Sequence, residues 1–120
     1  MKVQSYKDLE VWKKGIDIVE KAYRATTHFP NEEKYVIAAQ IQRAAISIPA
    51  NIAEGFARQY RKEYVQFLHV ALGSCAELET HLIISNRRGY LITSDLNVLQ
   101  EALDHECRML MNLIKRLRSS

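Results

Sequence analysis

In four separate stretches of this chain, apolar residues recur at alternating steps of three and four. That regularity restricts what the chain can become. Steps of three and four line one face of an α-helix, whereas a half-buried strand needs a period of two. The stretches are Leu9, Trp12, Ile16, Val19 and Tyr23; Ala38, Ile41, Ala45, Ile48 and Ile52; Tyr64, Leu68, Ala71, Cys75, Leu78 and Leu82; and Leu96, Leu99, Leu103, Leu110, Leu113 and Leu117, with Glu106 at a non-apolar position of the last seam. Such seams suit helices packed at a shallow angle on their neighbours. No strand-like alternation of useful length appears. With 120 residues, 4 Gly and 2 Pro, the chain fits one domain (residues 1–120) and lacks the turn residues of a β-sandwich. A chain this long buries about two-thirds of its unfolded surface, so it needs no metal or disulfide to fold.

Punctuation residues set the helix limits. Pro30 disfavours helix in the residue before it, and Asn31 reads as an N-cap with Glu32 and Glu33 in the first turn. Pro49 interrupts the second stretch, but the apolar stripe keeps its phase across it, which predicts one helix kinked near Ala45. Gly89 reads as a C′ glycine, and Thr93-Ser94-Asp95 offers caps for the last helix. The predicted helices span about 7–27, 32–57, 62–87 and 94–118. Short connections between them predict an all-α, antiparallel up-down-up-down four-helix bundle with a Pro-kinked second helix. Second apolar stripes (Ile37 and Ala44; Val65 and Leu72; Cys107, Met111 and Ile114) either widen the core or leave surface for another subunit, and we expect a homo-oligomer.

The start of the chain has no apolar h-region, and no apolar run reaches the 18 or so residues that span a bilayer. The expectation is a cytoplasmic protein without a membrane partner. Cys75 and Cys107 lie inside apolar segments without a CxxC context, and read as reduced, buried small hydrophobes rather than as a redox pair.

Catalytic and metal chemistry find little support. Glu77 and His81, like Glu101 and His105, are spaced i, i+4; the Glu-x-x-His pairs of a di-iron bundle and HExxH are both absent. Ser47 and Ser74 lack a nucleophile elbow, and there is no Gly-rich phosphate loop. No catalytic residue, metal ligand or cofactor is assigned. Glu54 and Glu77 are expected beside the core, where Arg43 could pair with either as a register-fixing ion pair. Asn51 could satisfy the carbonyl that Pro49 frees. Arg43, Asn51, Glu54 and Glu77 are therefore read as a structural polar cluster.

The 17 Lys plus Arg against 14 Asp plus Glu leave a net charge of +3, which excludes little. On an up-down bundle this charge is uneven. The start of helix 1, the helix 2–3 connection and the end of helix 4 share one pole, which holds Lys2, Lys7, Arg58, Arg61, Lys62, Lys115, Arg116 and Arg118 and nets +4. The middle nets −2, and the other pole, with Lys34 among its cations, nets +1. Lys115, Arg116 and Arg118 close a helix C-terminus, where cations are favoured; Arg61 and Lys62 open a helix, where they are not. Tyr60 and Tyr64 flank that pair and could stack on unpaired bases. The candidate nucleic-acid contacts are thus Arg58, Tyr60, Arg61, Lys62, Lys115, Arg116 and Arg118, with a merely solvated pole as the alternative.

Five stretches carry a resemblance: Leu9 to Lys14; Phe29-Pro30; Gln40 to Ala44; the long run Ser47-Ile48-Pro49-Ala50-Asn51-Ile52-Ala53-Glu54-Gly55; and Gly73 to Glu79. Together they resemble the small bundle proteins encoded in intervening sequences of bacterial large-subunit (23S) ribosomal RNA genes, a family related to the accessory variability protein of diversity-generating retroelements. The resemblance implies an antiparallel four-helix bundle, a ring-like homopentamer and no known catalytic activity. It also implies, for retroelement members, binding to nucleic acid and a reverse transcriptase. Two functional readings follow: an oligomeric adaptor that binds RNA or DNA through its basic pole, or a protein–protein scaffold without a nucleic-acid partner.

Overall fold

A computed structural model of the chain describes residues 3–33 and 36–119. The periodic stretches form α1 (Glu10–Thr26), α2 (Ile37–Phe56), α3 (Arg61–Arg87) and α4 (Thr93–Ser119), with 3₁₀ turns at Tyr6–Asp8 and Asn31–Glu33 and no strand among the described residues. The bundle measures 47 × 23 × 21 Å, its long axis close to the length of its longest helices, about 40 Å. Helices next to one another in sequence pack together, and α4 returns to α1 to close the ring; the α2–α3 contact is the most extensive. Side chains join the ends of neighbouring helices. Gln42 near the start of α2 donates to Thr26 at the end of α1 (3.1 Å), and Arg118 at the end of α4 meets His69 near the start of α3 (3.2 Å).

Three of the four expected seams form the core. Ile41, Ala45, Ile48 and Ile52 of α2, Leu68, Ala71, Cys75, Leu78 and Leu82 of α3, and Leu96, Leu99, Leu103 and Leu110 of α4 are all buried. α2 runs unbroken with Pro49 inside it, so the constant phase of the stripe is that of one helix. Gly89 has φ +82°, the left-handed conformation that a C′ residue needs and glycine adopts without strain. Tyr90 N–H then donates back to the Ser85 carbonyl (2.9 Å), which closes α3.

The first helix departs from expectation. α1 buries Val11, Gly15, Ile18, Ala22 and Thr26, while Ile16 and Tyr23 of the expected seam are exposed and Leu9, Trp12 and Val19 only partly covered. The reason is steric. A Cβ on Gly15 would lie 3.2 Å from Pro49 Cβ, so the small face of α1 is the one that nestles against the proline of α2. The starts of both N-terminal helices also move. Ser5 and Asp8 form a reciprocal capping box around the first 3₁₀ turn, and extended Leu9 separates that turn from α1. Asn31 opens a 3₁₀ turn rather than capping α2, because Glu33 N–H bonds to the Pro30 carbonyl three residues back (2.9 Å); α2 begins only at Ile37.

By length and composition α3 is apolar enough to cross a bilayer, although its apolar residues do not form an unbroken run. In the bundle, its apolar seam is buried in the core between the neighbouring helices instead.

Candidate nucleic-acid interface

The pole expected to be basic is assembled as the connectivity requires. Leu9, Glu10 and Val11 at the start of α1 share a cleft with Met109, Leu113 and Arg116 near the end of α4. A Cβ on Gly55 would stand 2.7 Å from Phe67 Cβ, so the last turn of α2 lies directly on the first turns of α3. Arg58, Tyr60, Arg61, Lys62, Lys115, Arg116 and Arg118 therefore reach one end of the molecule, each exposed. Lys2 and Lys34 lie outside the described residues.

These residues are not equally available. Arg58 donates to Glu54 Oε2 (3.1 Å), and its guanidinium stands 4.8 Å from the centre of the Phe67 ring, so both its fork and its flat face are in use. Arg61 and Arg116 each make an interaction within the chain. Arg118, which has no acceptor, donates to His69 Nε2 (3.2 Å) and keeps its charge. Lys62 and Lys115 project into solvent on neighbouring helix ends. Tyr60 is 63% exposed, whereas Tyr64 packs edge-on against Phe56 (5.9 Å) and burial pushes its hydroxyl above the usual tyrosine range. Of the two tyrosines, Tyr60 presents a ring to an incoming base. Three acids of this pole are occupied locally: Asp8 accepts from Ser5 N–H (3.2 Å), Glu10 from Lys13 (3.3 Å) and Glu54 from Arg58, while Glu63 stands exposed beside Lys62 in the first turn of α3.

His69 was not singled out in the sequence. Its role appears only when the end of α4 is laid beside α3. There His69, Lys115 and Arg118 rim an open groove of about 430 Å³ whose floor is Leu72, Met111 and Ile114.

The expected polar cluster does not come together. Glu54 and Glu77 are exposed; they bond Arg58 and, at 3.3 Å, His81 Nε2, while Arg43 points to solvent. Each carboxylate finds its partner four residues on in the chain, Glu77 within α3 and Glu54 just past the end of α2. Asn51 Nδ2 donates to the Ser47 carbonyl (2.7 Å), and Ser47 and Ser74 join α2 to α3 through a 2.6 Å hydroxyl contact.

Among the described residues the buried carboxyl is Glu106, fully enclosed, and neither of its side-chain oxygens finds a hydrogen-bond partner there. It lies against the site where α1 crosses Pro49: a Cβ on Gly15 would approach Glu106 Oε2 to 3.4 Å. Burial, reinforced by the neighbouring Cys107 and only partly offset by Lys14, pushes its pKa up to about 8. Among the described residues, no group of three His, Cys, Asp or Glu side chains is placed to hold a metal ion.

Residues 7–112 match the 23S rRNA-intervening sequence protein family, nearly the full length of the bundle. The chain belongs to that family. A solved crystal structure shares the fold with a TM-score of 0.81 and 26% identity, covering 88% of this chain and 95% of the other; it is a protein of unknown function of the S23 ribosomal protein family from Bacteroides thetaiotaomicron. No curated protein matches the chain. The family match spans Arg58, Tyr60, Arg61 and Lys62 but ends before Lys115, Arg116 and Arg118. Half of the basic pole thus belongs to the stretch shared with the family, and half to the last turns of α4.

Proposed function

We propose that this protein is a non-catalytic homo-oligomer that binds nucleic acid, RNA by preference, through the basic pole. One observation carries the reading. Cations from the α2–α3 connection, the first turn of α3 and the last turns of α4 converge on one end, while Asp8, Glu10 and Glu54 there are held in local caps and pairs. Exposed lysines beside an exposed aromatic ring suit phosphate contact plus base stacking. Assembly is supported by the apolar side chains that the bundle leaves outside, among them Ile16, Tyr23, Val98 and Met111. A ring of five copies, the number the family resemblance implies, would repeat the pole and strengthen its field.

The test is RNA binding by fluorescence anisotropy as a function of salt. Affinity should fall steeply between about 50 and 200 mM salt. Lys62→Glu combined with Lys115→Glu should cut affinity at least about tenfold and flatten the salt slope by about 1.4, at roughly 0.7 per lost single-strand phosphate contact, with helicity unchanged. No binding at low salt would overturn the reading. Light scattering supplies the subunit number, and a monomeric mass would remove the assembly. A protein-scaffold reading draws support from the apolar floor of the α3–α4 groove; partners captured after nuclease treatment and lost on Met111→Glu would favour it.

A further inference from the structure

The seam between α3 and α4 holds chemistry that nucleic-acid binding does not use. Side-chain bonds along the length of the two helices tie them together: Asn86 Nδ2 to Thr93 Oγ1 (3.3 Å) near the turn, Gln100 Nε2 to Glu79 Oε2 (3.2 Å), and Arg118 to His69 (3.2 Å). Cys75 lies between Glu79 and His69 on α3, and Cys107 lies between Gln100 and Arg118 on α4. This register brings the two cysteines side by side across the α3–α4 contact, close enough for each thiol to act on the ionisation of the other. Both are free. Their surroundings differ. Cys75 is 1% exposed, among the core leucines, whereas Cys107 is partly exposed at the edge of the bundle.

We propose that Cys75 and Cys107 form a reversible dithiol–disulfide pair, with Cys107 as the thiol that reacts with a hydroperoxide and Cys75 as the thiol that resolves the product. The proposal is independent of the nucleic-acid reading. Access and position assign the roles, because an oxidant in solvent reaches Cys107 and not Cys75. Electrostatics agrees. The interaction with the Cys75 thiol outweighs partial burial and the charges of Asp104 and Glu79, and leaves Cys107 below the usual thiol range. The same interaction, with burial and the nearby Glu106 and Glu79 carboxyls, holds Cys75 protonated. A thiol that ionises more readily, with a protonated partner beside it, is the arrangement from which thiol oxidation proceeds to a disulfide.

The chemistry balances. The Cys107 thiolate attacks one peroxide oxygen; an S–O bond forms, the O–O bond breaks, and the departing hydroxide takes a proton to become water. The Cys75 sulfur then attacks Cys107 Sγ, the S–S bond forms, the S–O bond breaks, and the leaving oxygen takes the Cys75 proton as a second water. Two thiols lose two electrons and one peroxide gains them. A small external thiol reverses the bond by exchange. The disulfide would span segment 76–106 and clamp α3 to α4 beneath the groove that Leu72 and Met111 line.

The test treats the reduced wild-type protein with hydrogen peroxide, blocks remaining thiols after denaturation, and reads the mass and tryptic peptides. Expected are the coupled loss of both thiols, a mass lower by two hydrogen atoms, and a linked pair of peptides, 63–87 with 89–108. Formation should be roughly tenfold faster in the folded protein than in urea, because the fold supplies the proximity. Cys107→Ser should leave Cys75 unreacted while folded. Cys75→Ala should stall at a Cys107 sulfenic acid that a dimedone probe traps. Linked peptides arising only between chains, oxidation of Cys107 alone in the wild type, or equal rates in folded and urea-unfolded protein would each overturn the proposal.

Discussion

Removing the buried charge at Glu106 should reshape the pH dependence of stability. Glu106 is fully enclosed and lacks a hydrogen-bond partner, and its pKa rises from 4.5 to about 8 on folding. A carboxyl whose folded pKa lies above its unfolded value binds more protons in the native state throughout that window. Stability is therefore greatest below the unfolded pKa and declines as pH rises toward the folded one. At about 1.4 kcal/mol per pH unit, the loss between pH 4.5 and pH 7 is on the order of 3 kcal/mol, and it levels off above about pH 8. Lys14, Cys107 and Cys75 are the titratable groups that couple to this carboxyl, from α1, α4 and α3. Other titrating groups contribute to both curves, so the quantity to measure is the difference between wild type and Glu106→Gln. Glutamine keeps the shape and an unpaired polar group but carries no proton equilibrium. Chemical denaturation followed by circular dichroism from pH 5 to pH 8.5, at fixed protein concentration, gives both curves. The wild type should lose stability relative to Glu106→Gln by about 3–4 kcal/mol over this range, or about 4 °C in Tm per kcal/mol. Glu106→Met should exceed the wild type most at the alkaline end, since it removes the desolvation cost. Parallel curves for wild type and Glu106→Gln would refute the reasoning and would mean that the carboxyl reaches water or a partner.

The glycines offer a matched contrast. Gly55→Ala forces a Cβ to within 2.7 Å of Phe67 Cβ and 3.2 Å of the Tyr64 carbonyl oxygen, and should cost about 2 kcal/mol in a thermal melt. Gly73→Ala meets nothing within 4 Å in a helix interior and should gain about 0.5–1 kcal/mol; a loss instead would place another copy of the chain against that face. Asp17 is held below its usual range first by the hydrogen bond from Lys21 (2.6 Å) and then by the charge of that lysine. The stability it adds is present above its unfolded pKa and fades as pH falls through the folded one. Half-exposed as Asp17 is, Asp17→Asn should cost under about 1 kcal/mol at pH 7 and nothing near pH 2.

Much of the architecture was legible in the chain because helix periodicity is a local property. Seams such as Ile41-Ala45-Ile48-Ile52 and Leu68-Ala71-Cys75-Leu78-Leu82 turn inward as spaced, and Ala44 and Val65 of the second stripes beside them widen the same core. α1 was different. It carries a bulky stripe through Trp12, Ile16 and Val19 and a small one through Val11, Gly15 and Ala22, and hydrophobicity alone favours the bulky one. The choice was made by the clearance at Pro49, on another helix. The pole followed from connectivity, because short loops force alternate helix ends together. Which cations there stay available did not, because Arg58 on Phe67 and Arg118 on His69 are contacts between helices.

The sequence by itself determined four helices, their order around the bundle and the end at which the basic residues gather, since all three depend on spacing and loop length. Only the tertiary structure decided which face of α1 is buried, that Glu106 lies enclosed and unpartnered, and that Cys75 meets Cys107. Those facts depend on the rotation and register of one helix against another, which are set by the shapes of side chains far apart in the chain.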